Sequence, residues 1–335
     1  MAQQTDGGEE SLGKAWLLLL DAARLGNVEQ VREAIRAGAK PADMGHIKKW
    51  ARVTPWLMEP PLSIAAWNGR LDCVEELAKL GDPALSFSDG HATALGRAAR
   101  KGHISCAKAL LPLYVAAGGE FLSKAMHDIL EAENVGLLEH AIAIAGASHR
   151  FKGETLLMAA SRQGDVKMME ACLVDGSDID EASTSGETAL SIAADACHED
   201  ACRMLVARGA SPSSVDLWGN TPLMRVAGSS SAAHGGIGAL EALLPSSNPD
   251  SANNIGETAL MIAISNHAQA FVEALLPISS LGILDLDGLS ALDHAEDLGP
   301  GEISDMVSGF ARAMAESHEM GRLIGAAQVQ KPFRL

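Results

Sequence analysis

A six-residue phrase returns through this sequence at nearly fixed spacing: Thr155-Leu-Leu-Met-Ala-Ala, Thr188-Ala-Leu-Ser-Ile-Ala, Thr221-Pro-Leu-Met-Arg-Val and Thr258-Ala-Leu-Met-Ile-Ala. Thr155 to Thr188 is 33 residues, and Thr188 to Thr221 is 33 again. A unit of this length cannot bury its apolar stripe alone, so neighbours stack into one extended core. The period therefore predicts an all-α repeat solenoid of stacked helix-turn-helix units. Such a fold presents a long grooved surface suited to holding other proteins.

With the Thr of each phrase as offset zero, Leu falls at +2, small residues at +5 and +6, Gly or a substitute at +9, and apolar pairs at +13, +14 and +17, +18. This spacing places one stripe of a first helix and one of a second against a shared interior. The Thr hydroxyl is suited to cap the first helix, and Pro222 to occupy a first helical turn. Gly69, Gly102 and Gly164 stand at +9, where a left-handed residue ends that helix.

The same ruler finds weaker copies on either side. Repeats are expected to start near residues 17, 60, 93, 126, 155, 188, 221, 258 and 290, about nine units within an array from 12 to 315. In the degenerate copy near Met126, Ala132-Glu133-Asn134 stands for the end of the first helix. From Leu17 to Pro60 is 43 residues, from Thr221 to Thr258 is 37, and from Met126 to Thr155 only 29. The long intervals imply insertions at about 40–59 and 228–236, the second a Ser/Gly-rich loop by composition. Residues 1–11 read as a flexible N-terminus and 316–335 as a C-terminal tail.

The formal net charge of −17, from 26 basic and 43 acidic side chains, disfavours non-specific attraction to nucleic acid or anionic lipid. No apolar run approaches the roughly 20 residues that span a bilayer. Asp6, Glu9 and Glu10 stand where a secretory signal would carry basic residues. These features place the chain in the cytoplasm, with the nucleus second, and as a monomer.

No catalytic or cofactor motif accompanies the repeats. Cys73 and Cys106 lie at +13, Cys202 at +14 and Cys172 at +17, all interior positions where a free thiol acts as a small apolar filler. No paired C-x-x-C spacing suggests a metal site. Ser105-Cys-Ala-Lys108 matches S-x-x-K but falls on a second helix without its companion motifs. No Walker loop, H-E-x-x-H, G-x-S-x-G or dinucleotide fingerprint is present. Neither a metal nor any cofactor is expected, and the chain reads as a non-enzyme.

The phrases Gly219-Asn220-Thr221-Pro222-Leu223, Gly102-His103 and Leu205-Val206-Ala207-Arg208-Gly209-Ala210 resemble the G-x-T-P-L-x-x-A-A-x-x-G-H-x-x-x-x-x-x-L-L-x-x-G-A pattern of the ankyrin repeat. The likeness extends from about residue 12 to 315 and implies short β-hairpin-like loops between successive helix pairs. It gives His103 and His198, at +10, a turn-stabilising role. It also exposes a departure, because the family's His at +3 is replaced by Ser63, Gly96, Met158, Ser191, Met224, Met261 and Asp293. That His ties hairpin to helix, so its loss implies softer marginal repeats.

The resemblance further implies that a partner meets the hairpin tips (−4, −3, −1) and the end of the first helix (+7, +8). The +7 and +8 positions of the first five repeats are Arg24-Leu25, Trp67-Asn68, Arg100-Lys101, Glu133-Asn134 and Arg162-Gln163, four basic side chains against one acidic. The first insertion adds Trp50 and Trp56 with Lys48, Lys49 and Arg52, and Trp218 occupies −3 of a later hairpin. Trp and Arg are enriched at binding hot spots, and a cationic stretch steers acidic segments.

The candidate partner-binding residues are therefore Trp67, Asn68, Arg100, Lys101, Glu133, Arg162, Gln163, Trp218, Trp50 and Trp56. The expected function is a non-enzymatic scaffold or adaptor that holds a protein partner, one with an acidic segment, on the concave face of the array. The alternative is a regulatory or inhibitory subunit of an enzyme such as a kinase or protease.

Overall fold

The structure, a computed structural model, describes residues 6–41, 59–80, 93–146, 149–173, 177–230 and 236–329. The chain divides into two compact units, one of residues 1–160 and 167–177, the other of residues 161–166 and 178–335. Both are built from consecutive pairs of short helices.

In the first unit the pairs are α1 (Asp6–Leu25) with α2 (Val28–Arg36), α3 (Pro61–Trp67) with α4 (Leu71–Ala78), α5 (Ala94–Arg100) with α6 (Ile104–Ala117), and α7 (Gly119–Glu131) with α8 (Val135–Ala145). A two-residue hairpin, β1 (Arg150–Phe151) with β2 (Glu154–Thr155), leads into α9 (Leu156–Gln163) and α10 (Val166–Cys172), whose residues are shared between the units. The second unit holds α11 (Ala189–Asp195) with α12 (Glu199–Ala207), α13 (Pro222–Gly228) with α14 (Ile237–Leu243), α15 (Ala259–Ser265) with α16 (Gln269–Leu275), and α17 (Ala291–Asp297) with α18 (Glu302–Val329).

Within each unit first helices touch first helices and second helices touch second helices. Thus α1, α3, α5 and α7 pack in sequence, as do α2, α4, α6 and α8, and the second unit repeats this with α11, α13, α15, α17 and α12, α14, α16, α18. The small residues at +5 and +6, such as Ala65, Ala66, Ala98 and Ala99, are buried and allow the helices to approach closely. The second helices bury Cys73, Val74 and Leu77 in α4 and Cys106, Leu110 and Leu111 in α6. This is the all-α repeat fold that the 33-residue period requires. Among the described residues no helix is long and apolar enough to cross a membrane.

The first helices begin as the ruler requires. Thr93, Thr188, Thr221 and Thr258 each accept, through Oγ1, the backbone N–H three residues on, which satisfies one unpaired donor of the first turn. The expectation that losing the +3 His loosens this junction is corrected by the structure. The residue now at +3 accepts the backbone N–H of the cap: Ser191 Oγ from Thr188 at 2.9 Å, Asp293 Oδ2 from Ser290 at 2.7 Å, and Met224 and Met261 through sulfur at 3.5 and 3.4 Å. Gly96 has no side chain to do so. There the carboxylate of Asp128, fully buried on α7, accepts from Thr93 N at 2.6 Å, and a Cβ on Gly96 would collide with it.

The hairpins of the second unit are each held by a polar residue at −5. Asp216 Oδ1 accepts from Trp218 N and Asn220 N, Asn253 Oδ1 from Ile255 N and Glu257 N, and Asp285 Oδ1 from Asp287 N and Leu289 N. Such turns are the favoured use of short polar side chains. Successive hairpins are then joined by backbone bonds, Leu217 N to Ser185 O, Asn254 N to Trp218 O and Leu286 N to Ile255 O.

Two readings change. Helix α1 begins at Asp6, inside the segment expected to be a flexible N-terminus, while α18 continues past residue 315 as a terminal helix within the expected tail. In the irregular fourth repeat Glu133 has φ 53, the left-handed conformation that Gly69 and Gly102 adopt at +9. Counting from Met126 had put it at +7, so the register there is shifted by two. The second insertion separates α13 from α14, which end and begin at Gly228 and Ile237.

Candidate protein-docking surface

Trp67 ends α3 with its side chain 43% exposed, and the next repeat lays two cations against it. Lys101 Nζ is 4.1 Å from the ring centroid and the Arg97 guanidinium carbon 5.9 Å. Both lie within cation–π range, which fixes the indole without burying it. Arg97 is held in turn by Glu59, Nη1 to Oε2 at 2.6 Å. Arg100, the residue before Lys101 in the chain, is exposed. The structure thus brings together Trp67 and Lys101 from adjacent repeats, as their offsets suggested, and adds Arg97 at +4.

The remaining candidates divide. Asn68 donates Nδ2 to Ile64 O at 2.8 Å, so its amide closes the end of its own helix. Glu133 is exposed in the turn between α7 and α8 rather than beside the helix end. Arg162 and Gln163 are exposed at the end of α9, in the second unit, where the Arg162 carbonyl is 3.1 Å from His198 Nε2. Trp50 and Trp56 lie outside the described residues.

Trp218 belongs to a groove of about 360 Å³ in the second unit. Asp195, Asn220, Arg225, Asn253, Asn254 and Glu257 line it, with Trp218 and Ile255 on its hairpin side. Arg225 Nη2 donates to Glu187 Oε1 at 2.6 Å and lies 3.6 Å from Asp195, while Nη1 is 3.7 Å from the buried Asp216 carboxylate. Beside the groove the hairpin tips expose Leu217 (66%), Trp218 (58%) and Ile255 (55%). Arg225 and its carboxylates were not singled out from the sequence. The signal was there: Glu59 with Arg97 and Glu187 with Arg225 are both a −1 Glu paired with the +4 Arg of the next repeat, 38 residues on.

The groups that might have suggested chemistry are engaged in packing. Cys73, Cys106, Cys172 and Cys202 are buried, and burial pushes Cys172 and Cys202 up to about 12. In the irregular repeat, Asp128 is shared between Thr93 N and Lys124 Nζ, the latter at 2.5 Å. His127 is buried beside Phe151 with Nδ1 3.0 Å from Ser123 O, and burial lowers its pKa. No group of three His, Cys, Asp or Glu side chains among the described residues is placed to hold a metal ion.

The chain is 27% identical to the "Ankyrin repeat and KH domain-containing protein mask-1" of Caenorhabditis elegans over 157 residues, 46% of this chain and 6% of that protein. It is 29% identical to an "L-asparaginase" of Dirofilaria immitis over 167 residues, 48% of this chain and 28% of that one. The chain thus spans less than a third of either relative, and a likeness of that extent carries no asparaginase activity across. The sequence pattern described as "Ankyrin repeats (3 copies)" matches residues 19–119 and 126–216, more than half of the chain. Together with the helix pairs and capped hairpins, this match shows that the chain belongs to the ankyrin-repeat family, whose members are generally non-enzymatic protein-interaction modules.

Proposed function

We propose that this protein is an adaptor that docks an acidic segment of a protein partner against the Trp67, Arg100 and Lys101 surface of its first unit. The observation that carries this reading is Trp67 itself, a large apolar ring left half in solvent under a lysine and an arginine from the next repeat. Exposed indole with adjacent cations is the composition of a binding hot spot, and cations on a chain of net charge −17 stand out against their surroundings. The same overall charge disfavours nucleic acid and anionic membranes as alternatives. In this reading the chain works as a cytoplasmic monomer.

Affinity capture with the intact chain, compared with a Trp67→Ala, Arg100→Glu, Lys101→Glu variant, tests the proposal. The expected result is loss of the captured partner from the variant, and a partner whose protected segment is rich in Asp and Glu. Equal capture by both proteins rejects this surface and leaves the fold untouched.

A further inference from the structure

The second unit carries a surface of the opposite sign, and it follows from a break in the pairing scheme. Glu59 and Glu187, each one residue before a cap, are neutralised by Arg97 and Arg225 at +4 of the following repeat. Glu257 holds the equivalent place before Thr258. Its counterpart at +4 of the next repeat is His294, whose Nε2 turns to Asp285 Oδ2 at 2.8 Å. Among the described residues the Glu257 carboxylate has one hydrogen bond, from the neutral amide of Asn253 at 3.1 Å, in the wall of the groove.

The other polar groups of that groove do not offset this charge. Asp195 lies 3.6 Å from Arg225, whose guanidinium is closer to Glu187 and also faces Asp216. Three carboxylates, those of Glu187, Asp195 and Asp216, therefore share one arginine. Asn253 Nδ2 donates to both Asn220 Oδ1 and Glu257, while Asn254 Nδ2 donates to Leu217 O and Asn220 Nδ2 to Asp216. These neutral amides leave the balance of charge that the groove offers an entering group negative. At its edge stand the exposed Trp218, Leu217 and Ile255, on hairpins tied to one another through Asn254 N and Trp218 O.

We infer that this groove receives an arginine or lysine side chain from an extended segment of a protein partner, with apolar residues of the same segment lying on the Leu217, Trp218 and Ile255 tips. Charge complementarity selects the cation: its head meets Glu257 and Asp195, and its stem has an aromatic ring beside it. A volume of about 360 Å³ is at the lower end of small-molecule sites, which leaves ample room for one side chain. The site is independent of the Trp67 surface, lies in the other unit and selects the opposite charge, so either can fail while the other stands.

The test is selection of phage-displayed random dodecapeptides on the purified full chain, followed by anisotropy titration of the enriched peptides as synthetic, fluorescein-labelled probes. Peptides with Arg or Lys beside apolar residues are expected to emerge. Their affinity is expected to fall about tenfold for Glu257→Gln, which keeps an acceptor for Asn253 and removes only the charge, and by a similar factor for Trp218→Ala. Replacing the peptide's basic residue by citrulline or norleucine is expected to have the same effect. Circular dichroism melts that match the parent chain show that these variants fold. Selection of only acidic or uncharged peptides, failure to enrich any peptide, or affinity indifferent to Glu257→Gln would overturn the proposal.

Discussion

The imidazole of His103 rests on the α-carbon of Gly69, so closely that a Cβ there would lie 2.6 Å from Nδ1. Gly69 is also left-handed, at φ 67. His198 covers Gly164 in the same way, and its Nε2 is 3.1 Å from the carbonyl of Arg162. The +10 side chain thus closes the turn of the repeat before it, which is the physical content of the Gly-His pattern. Gly69→Ala is expected to lower unfolding stability by roughly 2 kcal/mol, combining the left-handed penalty of an L-residue with the ring collision. Adding His103→Ala is expected to recover only the second part. Urea titrations of the parent chain and these two variants measure both.

Asp128 stands in for the missing side chain of Gly96. Asp128→Ala leaves Thr93 N–H and Lys124 without their acceptor, and removing one partner of a buried ion pair costs about 3–5 kcal/mol. A Cβ at position 96 would collide with the Cβ of residue 128, an atom that Asp128→Ala retains. Gly96→Ser combined with Asp128→Ala is therefore expected to be less stable than Asp128→Ala alone, because the serine cannot take the place that Ser191 has beside Thr188 without displacing α7. Thermal denaturation of the pair checks the order.

Much of this fold was legible in the sequence because each repeat answers to local chemistry. Thr caps, small residues at +5 and +6 and glycine at +9 each have one cheap structural use, and they recur in register. The irregular repeat was misread for the same reason. Glu133 takes a left-handed conformation that sequence assigns to glycine, and Asp128 of this repeat supplies the carboxylate that meets the cap Thr93 of the preceding one, which no spacing within one repeat announces. Trp67 with Lys101 was found because both stand at positions that face outward in consecutive repeats. The groove of the second unit was not, apart from Trp218: its character depends on Glu257 lacking the arginine that Glu59 and Glu187 possess, and an absent partner is visible only once the pairs are known.

His127 makes stability depend on pH. Burial holds its folded pKa below the ordinary value of 6.5. A depressed histidine favours the folded state fully above the unfolded pKa and loses that contribution as pH falls through the folded one, since the unfolded chain takes up the proton first. Stability is expected to decline as pH is lowered from 7 through 6.5 and beyond. The slope is expected to be shallower in His127→Leu, measured by denaturant midpoints at a series of pH values.

Thiol chemistry separates the five cysteines. Cys172 and Cys202 are buried with thiols raised to about 12, Cys73 and Cys106 are also buried and raised, and Cys197 is partly exposed in a turn. Only the thiolate reacts, so iodoacetamide under native conditions is expected to label Cys197 first, with the other four protected until unfolding. Mass spectrometry of the digested protein reads the order, and Cys197→Ser is expected to remove the early product.

The most direct test of the docking role is a photo-crosslinking residue, benzoylphenylalanine, in place of Lys101 beside Trp67 in the intact chain. Irradiation in cells followed by sequencing of the crosslinked peptides is expected to return one protein, joined through a segment rich in Asp and Glu. Crosslinks only to uncharged or basic segments, or none above those from a probe at an exposed position on another face, would contradict the account.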